Sequence, residues 1–140
     1  MPEDFKIVAV INKNLETGVA LNAIAHMGAG LVASASETDK QNMHFMNFVD
    51  KSSKDHNSIS ALSLVVLRWT SGEIRKVRSQ AEEENLHLVD FLETMTGDTY
   101  KEQLQKTSAV VFEELNFYGV MLFGKRDVID PITKKLSLRR

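Results

Sequence analysis

The chain has 140 residues, of which 43% are hydrophobic and 26% charged, with a formal net charge of −2. This length fits one domain with its own core, and the absence of cysteine excludes disulfides and cysteine-based zinc sites. The apolar runs are far shorter than the ~20 residues that cross a bilayer, and residues 1–4 lack the features of a signal peptide. We therefore expect a single cytoplasmic domain over residues 1–140 that does not enter a membrane.

Alternating strand and helix patterns run along the chain. Apolar runs predict strands at residues 5–11, 43–49, 62–69, 86–91 and 117–123. The polar residues 50–57 predict a hairpin turn that links the second strand to the third. Helices are predicted at residues 17–33, 71–84, about 98–105 and 127–134, with Thr17 and Ser71 as N-caps. This order predicts an α/β fold, a three-layer α/β/α domain with a mixed sheet.

The predicted helix 17–33 is rich in small residues, which would let its backbone approach the sheet closely. At ~100° per residue, one apolar stripe is predicted to lie on the sheet: Leu21, Ala25, Gly28 and Val32. Asn22 and His26 are four residues apart and are expected together at the border of that stripe.

The junction of the first strand and this helix is the strongest candidate for a ligand site, because α/β proteins often bind ligands where a strand opens onto a helix N-terminus. Lys13 and the free helix N–H groups could hold a phosphate or carboxylate. His26 is the candidate catalytic residue, as an acid or base near neutral pH. The predicted ligand-binding residues are Asn12, Lys13, Asn14, Thr17, Gly18, Asn22 and His26. In the alternative interpretation, Asn12 and Asn14 only shape a turn and His26 is a half-buried structural histidine.

Other motifs in the sequence give weaker evidence for a functional site. Residues 119–126 nearly match a phosphate-binding loop, but Arg126 replaces the required hydroxyl residue and the intervening residues are those of a strand. The spacing of the histidines predicts no metal site, and no cofactor is expected. Basic segments at 68–78 and 125–140 could attract RNA, although a pI of about 6.1 argues against a constitutive nucleic-acid binder.

Short motifs spread over nearly the whole chain resemble a bacterial family of uncharacterised proteins, catalogued as domain of unknown function two thousand. That family is in turn similar to the type II peptidyl-tRNA hydrolases. The resemblance implies a small α/β/α domain with a mixed four-stranded core sheet, often dimeric. The motifs are Lys6-Ile7-Val8-Ala9-Val10-Ile11-Asn12, Gly18, Asn22-Ala23, Ala25-His26, Asp90-Phe91, Tyr118-Gly119-Val120 and Leu136-Ser137-Leu138.

The resemblance to the hydrolases breaks at the helix that carries their pattern K-G-K-x-A-A-Q-x-x-H-A. Aligned on Gly18 and His26, the second lysine, thought to be catalytic, falls on Val19 and the glutamine falls on Ala23. The D-A-G-x-T-Q segment of the hydrolases has no counterpart near residues 117–124. We therefore expect a shared fold without the known reaction.

Three functions remain open from the sequence, and whether the protein is an enzyme is undecided. The first is binding of a small polar or anionic ligand at the first strand, loop and helix. The second is hydrolysis of an ester or amide with His26 as general base. The third is an RNA- or protein-interaction module that uses the basic segments. A small-molecule ligand and a homodimer are the expected partners.

Overall fold

The computed structural model describes residues 1–138, and each strand and helix predicted from the sequence is present with slightly shifted ends. The strands are β1 Phe5–Asn12, β2 Phe45–Val49, β3 Asp55–Ser60, β4 Leu64–Trp69, β5 His87–Leu92, β6 Phe117–Lys125 and β7 Ser137–Leu138. The helices are α1 Thr17–Ala33, α2 Glu37–Asn42, α3 Ser71–Glu83, α4 Tyr100–Ser108 and α5 Arg126–Thr133. Arg139 and Arg140 of the predicted basic tail lie outside the described residues.

The main sheet is mixed, as predicted. Its strand order is β5-β6-β1-β4-β7, with four long strands and a two-residue fifth strand, β7. β1 pairs parallel with β4 and antiparallel with β6, which pairs antiparallel with β5. The apolar segment 119–126 lies mainly in β6, so the strand interpretation of that segment is confirmed.

The core occupies both faces of the sheet because side chains alternate along the central strand β1. Ile7, Ala9 and Ile11 pack in the same cluster as α1, on the face that we call the α1 face. Val8 and Val10 pack on the other face, with side chains of α3 and α5. Full burial of such side chains contributes roughly 1.5–3 kcal/mol each. The molecule is therefore a three-layer α/β/α structure. In the described part of the chain, no helix is long and apolar enough to span a membrane.

Strands β2 and β3 form a separate two-stranded sheet, which corrects the predicted hairpin. The predicted second strand was expected to pair with the strand at 62–69, but its partner is β3, whose first half the polar sequence predicted as a turn. β3 was not predicted because it lacks the alternation of apolar and polar residues that is typical of a half-buried strand. Nearly all of β3 is exposed. The short helix α2, capped by the side chain of Ser36, was also missed.

The carboxylate of Asp50 organises the turn between β2 and β3. One oxygen accepts the N–H groups of Ser52 at 2.8 Å and Lys54 at 3.0 Å, and the other lies 2.9 Å from Nε2 of His56. The hydrogen bond from His56, followed by that from Lys54, holds the pKa of Asp50 below its ordinary value.

A lowered pKa in the folded state means that the carboxylate stabilises the turn above the ordinary pKa of aspartate, and that this contribution is lost as pH falls through the lowered value. In an NMR titration, we expect the amide signals of Ser52 and Lys54 to change with a midpoint below the ordinary aspartate range. Asp50→Asn should remove this transition, whereas Asp127→Asn should leave it in place. A midpoint at or above the ordinary value would contradict the role of Asp50.

The orientation of α1 differs from the prediction. Its residues buried against the sheet are Ala20, Ala23, Met27 and Leu31, whereas Leu21 of the predicted stripe is 61% exposed. The small residues make several sides of α1 similarly apolar, so periodicity alone does not distinguish them. The larger side chains of Met27 and Leu31 occupy the sheet side, which rotates the helix by about one residue, or ~100°.

Candidate functional site

Three strands of the main sheet run in the same direction and end at one edge. β1 ends at Asn12, β4 at Trp69 and β5 at Leu92, since both β1 and β5 are antiparallel to β6. Helices α1 and α3 begin just after β1 and β4, so both helix N-termini lie at this edge. This is the place where open α/β sheets most often bind ligands.

The side chain of Asn12 is used by the fold itself. It is 5% exposed, its Nδ2 donates to the carbonyl of Phe117 at 3.0 Å, and its Oδ1 accepts the N–H of Asn14 at 2.9 Å. The first bond joins the end of β1 to the start of β6, and the second forms an Asx-type turn. The turn interpretation therefore describes the contacts of Asn12, while the side chain of Asn14 is exposed at the rim.

The N-terminus of α1 carries no side-chain cap. Its N-cap is Glu16 rather than the predicted Thr17, and the first helical hydrogen bond runs from the N–H of Ala20 to the carbonyl of Glu16 at 3.0 Å. The N–H groups of residues 17–19 thus lack an acceptor within residues 1–138, as expected for an uncapped first turn. Nothing lies within 4 Å of the position that a Cβ would occupy on Gly18, so the approach is open.

Helix α3 shows the contrasting arrangement at the same edge. Its N-cap is Thr70 rather than the predicted Ser71, and Oγ1 of Thr70 accepts the N–H of Glu73 at 3.2 Å. Ser71 instead accepts the N–H of Phe117 at 2.8 Å. The start of α3 is therefore tied to its own cap and to β6, whereas the start of α1 faces solvent.

Two basic side chains lie at this edge on the α1 face of the sheet. The N–H of Lys13 donates to the carbonyl of Trp69 at 2.9 Å, which extends the pairing of β1 with β4. Arg68 is the register partner of Ile11, a residue of the α1 face. Alternation of side chains places Lys13 on the same face. Within residues 1–138, the side chains of Lys13 and Arg68 form neither an ion pair nor a hydrogen bond, and both residues are exposed.

The other arginines of the basic segment 68–78 have structural partners. Arg75 donates to the carbonyls of Phe112 at 3.3 Å and Leu115 at 2.6 Å. Arg78 pairs with Asp90 at 2.7 Å and with Glu82 at 3.1 Å. Because these cations are already paired, Arg68 is the arginine of this segment whose charge faces solvent. The sequence contained this residue within the basic segment but gave no signal that it would stand beside Lys13.

Asn22 and His26 lie on the flank of α1 that is turned toward β5. The ring of His26 stacks on Phe91 of β5, with centroids 5.4 Å apart and planes inclined by 27°, and both Asn22 and His26 are exposed. Apart from Asn12, the predicted residues thus fall into two groups. The loop group comprises Lys13, Asn14, Thr17 and Gly18, and the flank pair comprises Asn22 and His26.

The residues of the loop group are all exposed. Two clefts lie elsewhere, one of about 540 Å³ lined by residues 3–5 and 125–127 and one of about 520 Å³ between α3 and α5. The second cleft includes Trp69, Lys76 and Lys134. A ligand at the start of α1 would therefore be held by charge and hydrogen bonds more than by enclosure.

Comparison with known proteins identifies the family. The family model described as protein of unknown function, DUF2000, matches residues 5–140. The chain belongs to the DUF2000 family. A solved structure of a protein of unknown function from Agrobacterium tumefaciens strain C58 superposes on this DUF2000 protein with a TM-score of 0.81 and 24% sequence identity, covering 98% of each chain. That likeness establishes a shared fold. None of the curated proteins matches the sequence.

Proposed function

We propose that this DUF2000 protein binds a small anionic ligand, with a phosphate or carboxylate group, at the start of α1. The observation that supports the proposal is that, within residues 1–138, three acceptor-free N–H groups at residues 17–19 lie at the same edge of the sheet as the unpaired side chains of Lys13 and Arg68. A helix of 17 residues adds the positive end of its dipole, equivalent to roughly half a unit charge. Both features favour an anion at the same place.

Each group has a separate role in this proposal. Arg68 supplies a planar guanidinium that can donate two parallel hydrogen bonds to one phosphate or carboxylate, whereas Lys13 supplies a compact charge. Gly18 leaves the helix N–H groups accessible, and Asn14 and Thr17 provide polar contacts at the rim. Glu16 is the acid next to the site and opposes the binding of an anion.

Binding of inorganic phosphate and of acetate, followed by NMR and calorimetry, tests the proposal. Arg68→Ala and Lys13→Ala should each weaken phosphate binding about 10- to 100-fold, because a charge-assisted hydrogen bond contributes roughly 1.5–3 kcal/mol. Glu16→Gln should strengthen it a few-fold, since a repulsive charge is removed. The amide signals of residues 17–19 should shift in the wild-type protein.

Lys101→Ala is the matched control, because Lys101 is an exposed lysine of α4, outside the loop group and outside β4. Its phosphate affinity should equal that of the wild type. The proposal fails if phosphate leaves the amides of residues 17–19 unchanged, or if Lys13→Ala and Arg68→Ala bind phosphate as well as Lys101→Ala does.

The geometry favours binding over hydrolysis. Val19, which aligns with the lysine of the type II peptidyl-tRNA hydrolases, presents an apolar side chain in the first turn of α1. His26, the candidate general base, stacks on Phe91 along the flank of the helix rather than beside Lys13 and Arg68. An assay of aminoacyl ester cleavage with wild-type protein and His26→Ala distinguishes binding from hydrolysis. Turnover that depends on His26 would favour the hydrolase.

A further inference from the structure

The β2–β3 hairpin, residues 45–60, forms an arm with a large exposed apolar surface. Neither strand pairs with the main sheet, and every residue of the two strands except Ser60 is exposed. The exposed fractions of its apolar side chains are 42% for Phe45, 52% for Met46, 50% for Phe48, 63% for Val49 and 63% for Ile59. The arm thus exposes apolar side chains that soluble proteins normally cover.

The sequence of β2 is that of a strand covered on both faces. Successive side chains point to opposite faces, so the neighbours Phe45 and Met46 place apolar side chains on both faces, before a register irregularity between Asn47 and Val49. A strand with one face in water would alternate with polar residues instead. An isolated two-stranded hairpin is also only marginally stable in water. Both arguments indicate that another surface covers the arm.

Exposed apolar residues also occur on the α1 face of the main sheet, on the side of α1 away from β5. His26 and Gly30 of α1 lie near Phe91 and Val89 of β5, so the opposite flank of the helix is turned toward β4. Leu64 of β4 belongs to the α1 face, because its register partner is Ile7, and it is 50% exposed. We call this surface the strip; it comprises Leu21, Ala25, Gly28 and Leu64.

We propose that the arm of one copy of this chain lies on the strip of a second copy, and reciprocally, in a two-fold symmetric dimer. The arm exposes roughly 500 Å² on its apolar residues, since large apolar side chains each offer on the order of 150–200 Å². Leu21 and Leu64 add about 200 Å² by the same measure. The arm, counted over both faces, and the strip together expose about 700 Å² per copy, which compares with the ~800 Å² per partner of a stable interface.

Charge favours a second copy over a membrane surface. In the arm, Lys51 and Lys54 are balanced by Asp50 and Asp55, whereas segments that bind anionic membranes are strongly basic. A dimer also covers both exposed apolar surfaces of each copy through one self-complementary interface, as two-fold symmetry requires.

Sedimentation of the full-length protein over a wide concentration range tests the dimer. We expect the wild type to sediment with about twice the 15.7 kDa mass of one chain. Phe48→Ser should weaken the dimer roughly 10³-fold, because an anchoring interface side chain occurs twice in a symmetric dimer. Lys51→Ser, an exposed polar change in the same hairpin, should leave the dimer unchanged. A monomeric wild type overturns the proposal, even if it binds phosphatidylcholine vesicles or another protein, and so does equal dimerisation of both variants.

Because the chain contains no cysteine, introduced cysteines can test directly which surface of the second copy the arm contacts. When a tagged Phe48→Cys chain is mixed with an untagged Leu64→Cys chain, any disulfide must join two copies, because each has a single thiol. We expect the mixed disulfide to form in preference to either self-linked pair. Lys101→Cys replaces Leu64→Cys as the control and should not link. Predominant linkage between two Phe48→Cys chains would mean that the arms contact each other, and it would overturn the proposed contact of the arm with the strip.

Discussion

Replacing Gly119 with valine is expected to destabilise the protein by at least about 3 kcal/mol, because added groups in a packed core force side chains and backbone apart. A Cβ on Gly119 would lie 2.8 Å from Cε of Met27, 2.9 Å from Cδ1 of Ile11 and 3.1 Å from the carbonyl oxygen of Val10. The two side-chain ends can shift, but the carbonyl belongs to the central strand β1. Chemical denaturation measures the loss as a lower midpoint.

A graded comparison tests this cause. Gly119→Ala should cost roughly 1–3 kcal/mol, and Gly124→Ala in the same strand should cost less. At Gly124, the close contact of a Cβ is with the end of the Leu86 side chain, which can rotate away, and no backbone atom is among its nearest neighbours. Equal losses of stability at the two glycines would contradict the role of crowding against the carbonyl of Val10.

The strands and helices could be predicted wherever the local residue pattern was compatible with only one type of secondary structure. The continuous apolar run of β1 matches a strand whose residues 8–11 are all 0% exposed. The change from that run to a polar loop and then to small residues placed α1 at residues 17–33, the bounds observed. The predicted five strands are all present because each contains enough apolar or β-branched residues to stand out from its flanks.

Other features depend on contacts that no local pattern encodes. The sheet-facing side of α1 is chosen by Met27 and Leu31, in a helix whose small residues make another stripe equally apolar. The polar strand β3 is defined by its pairing with β2 rather than by burial. The exposed apolar residues of β2 have the sequence of a covered strand, which is why its separation from the main sheet was not predicted.

The sequence predicted a candidate site at the first loop and helix, but it did not indicate which of its residues serve the fold and which face solvent. The loop after β1 and the start of α1 lie at the sheet edge as expected. The hydrogen-bonding role of Asn12 depends on Phe117, which lies 105 positions away in the chain. Arg68 reaches the site through the parallel register of β4 with β1. Both relations follow from sheet topology, which one sequence does not specify.

Asn12→Leu is expected to destabilise the protein by about 2–4 kcal/mol, since an unpaired buried polar group costs roughly 1–3 kcal/mol and two bonds are lost. The change leaves the carbonyl of Phe117 without its donor and removes the acceptor of the Asn14 N–H. The loop before α1 should also lose its turn, so phosphate affinity should fall with stability. Asn14→Leu is the control, because within residues 1–138 the side chain of Asn14 makes no hydrogen bond that holds the loop. The free energy of unfolding of this variant should differ from that of the wild type by no more than about 0.5 kcal/mol.

Asn12→Asp separates hydrogen bonding from side-chain shape, because aspartate preserves the size of asparagine but replaces the donor with an acceptor. A carboxylate at this position would face the carbonyl of Phe117, and its burial would raise the pKa of Asp at position 12 in the folded state. A group whose pKa is raised on folding destabilises the fold as pH increases above its unfolded value, ~3.9 for aspartate. The stability difference between wild type and Asn12→Asp should therefore be small in mild acid and grow toward neutral pH, measured by denaturation at several pH values. A difference near zero at every pH would mean that the Nδ2 bond to β6 contributes nothing, and that Asn12 serves only the turn that leads into α1.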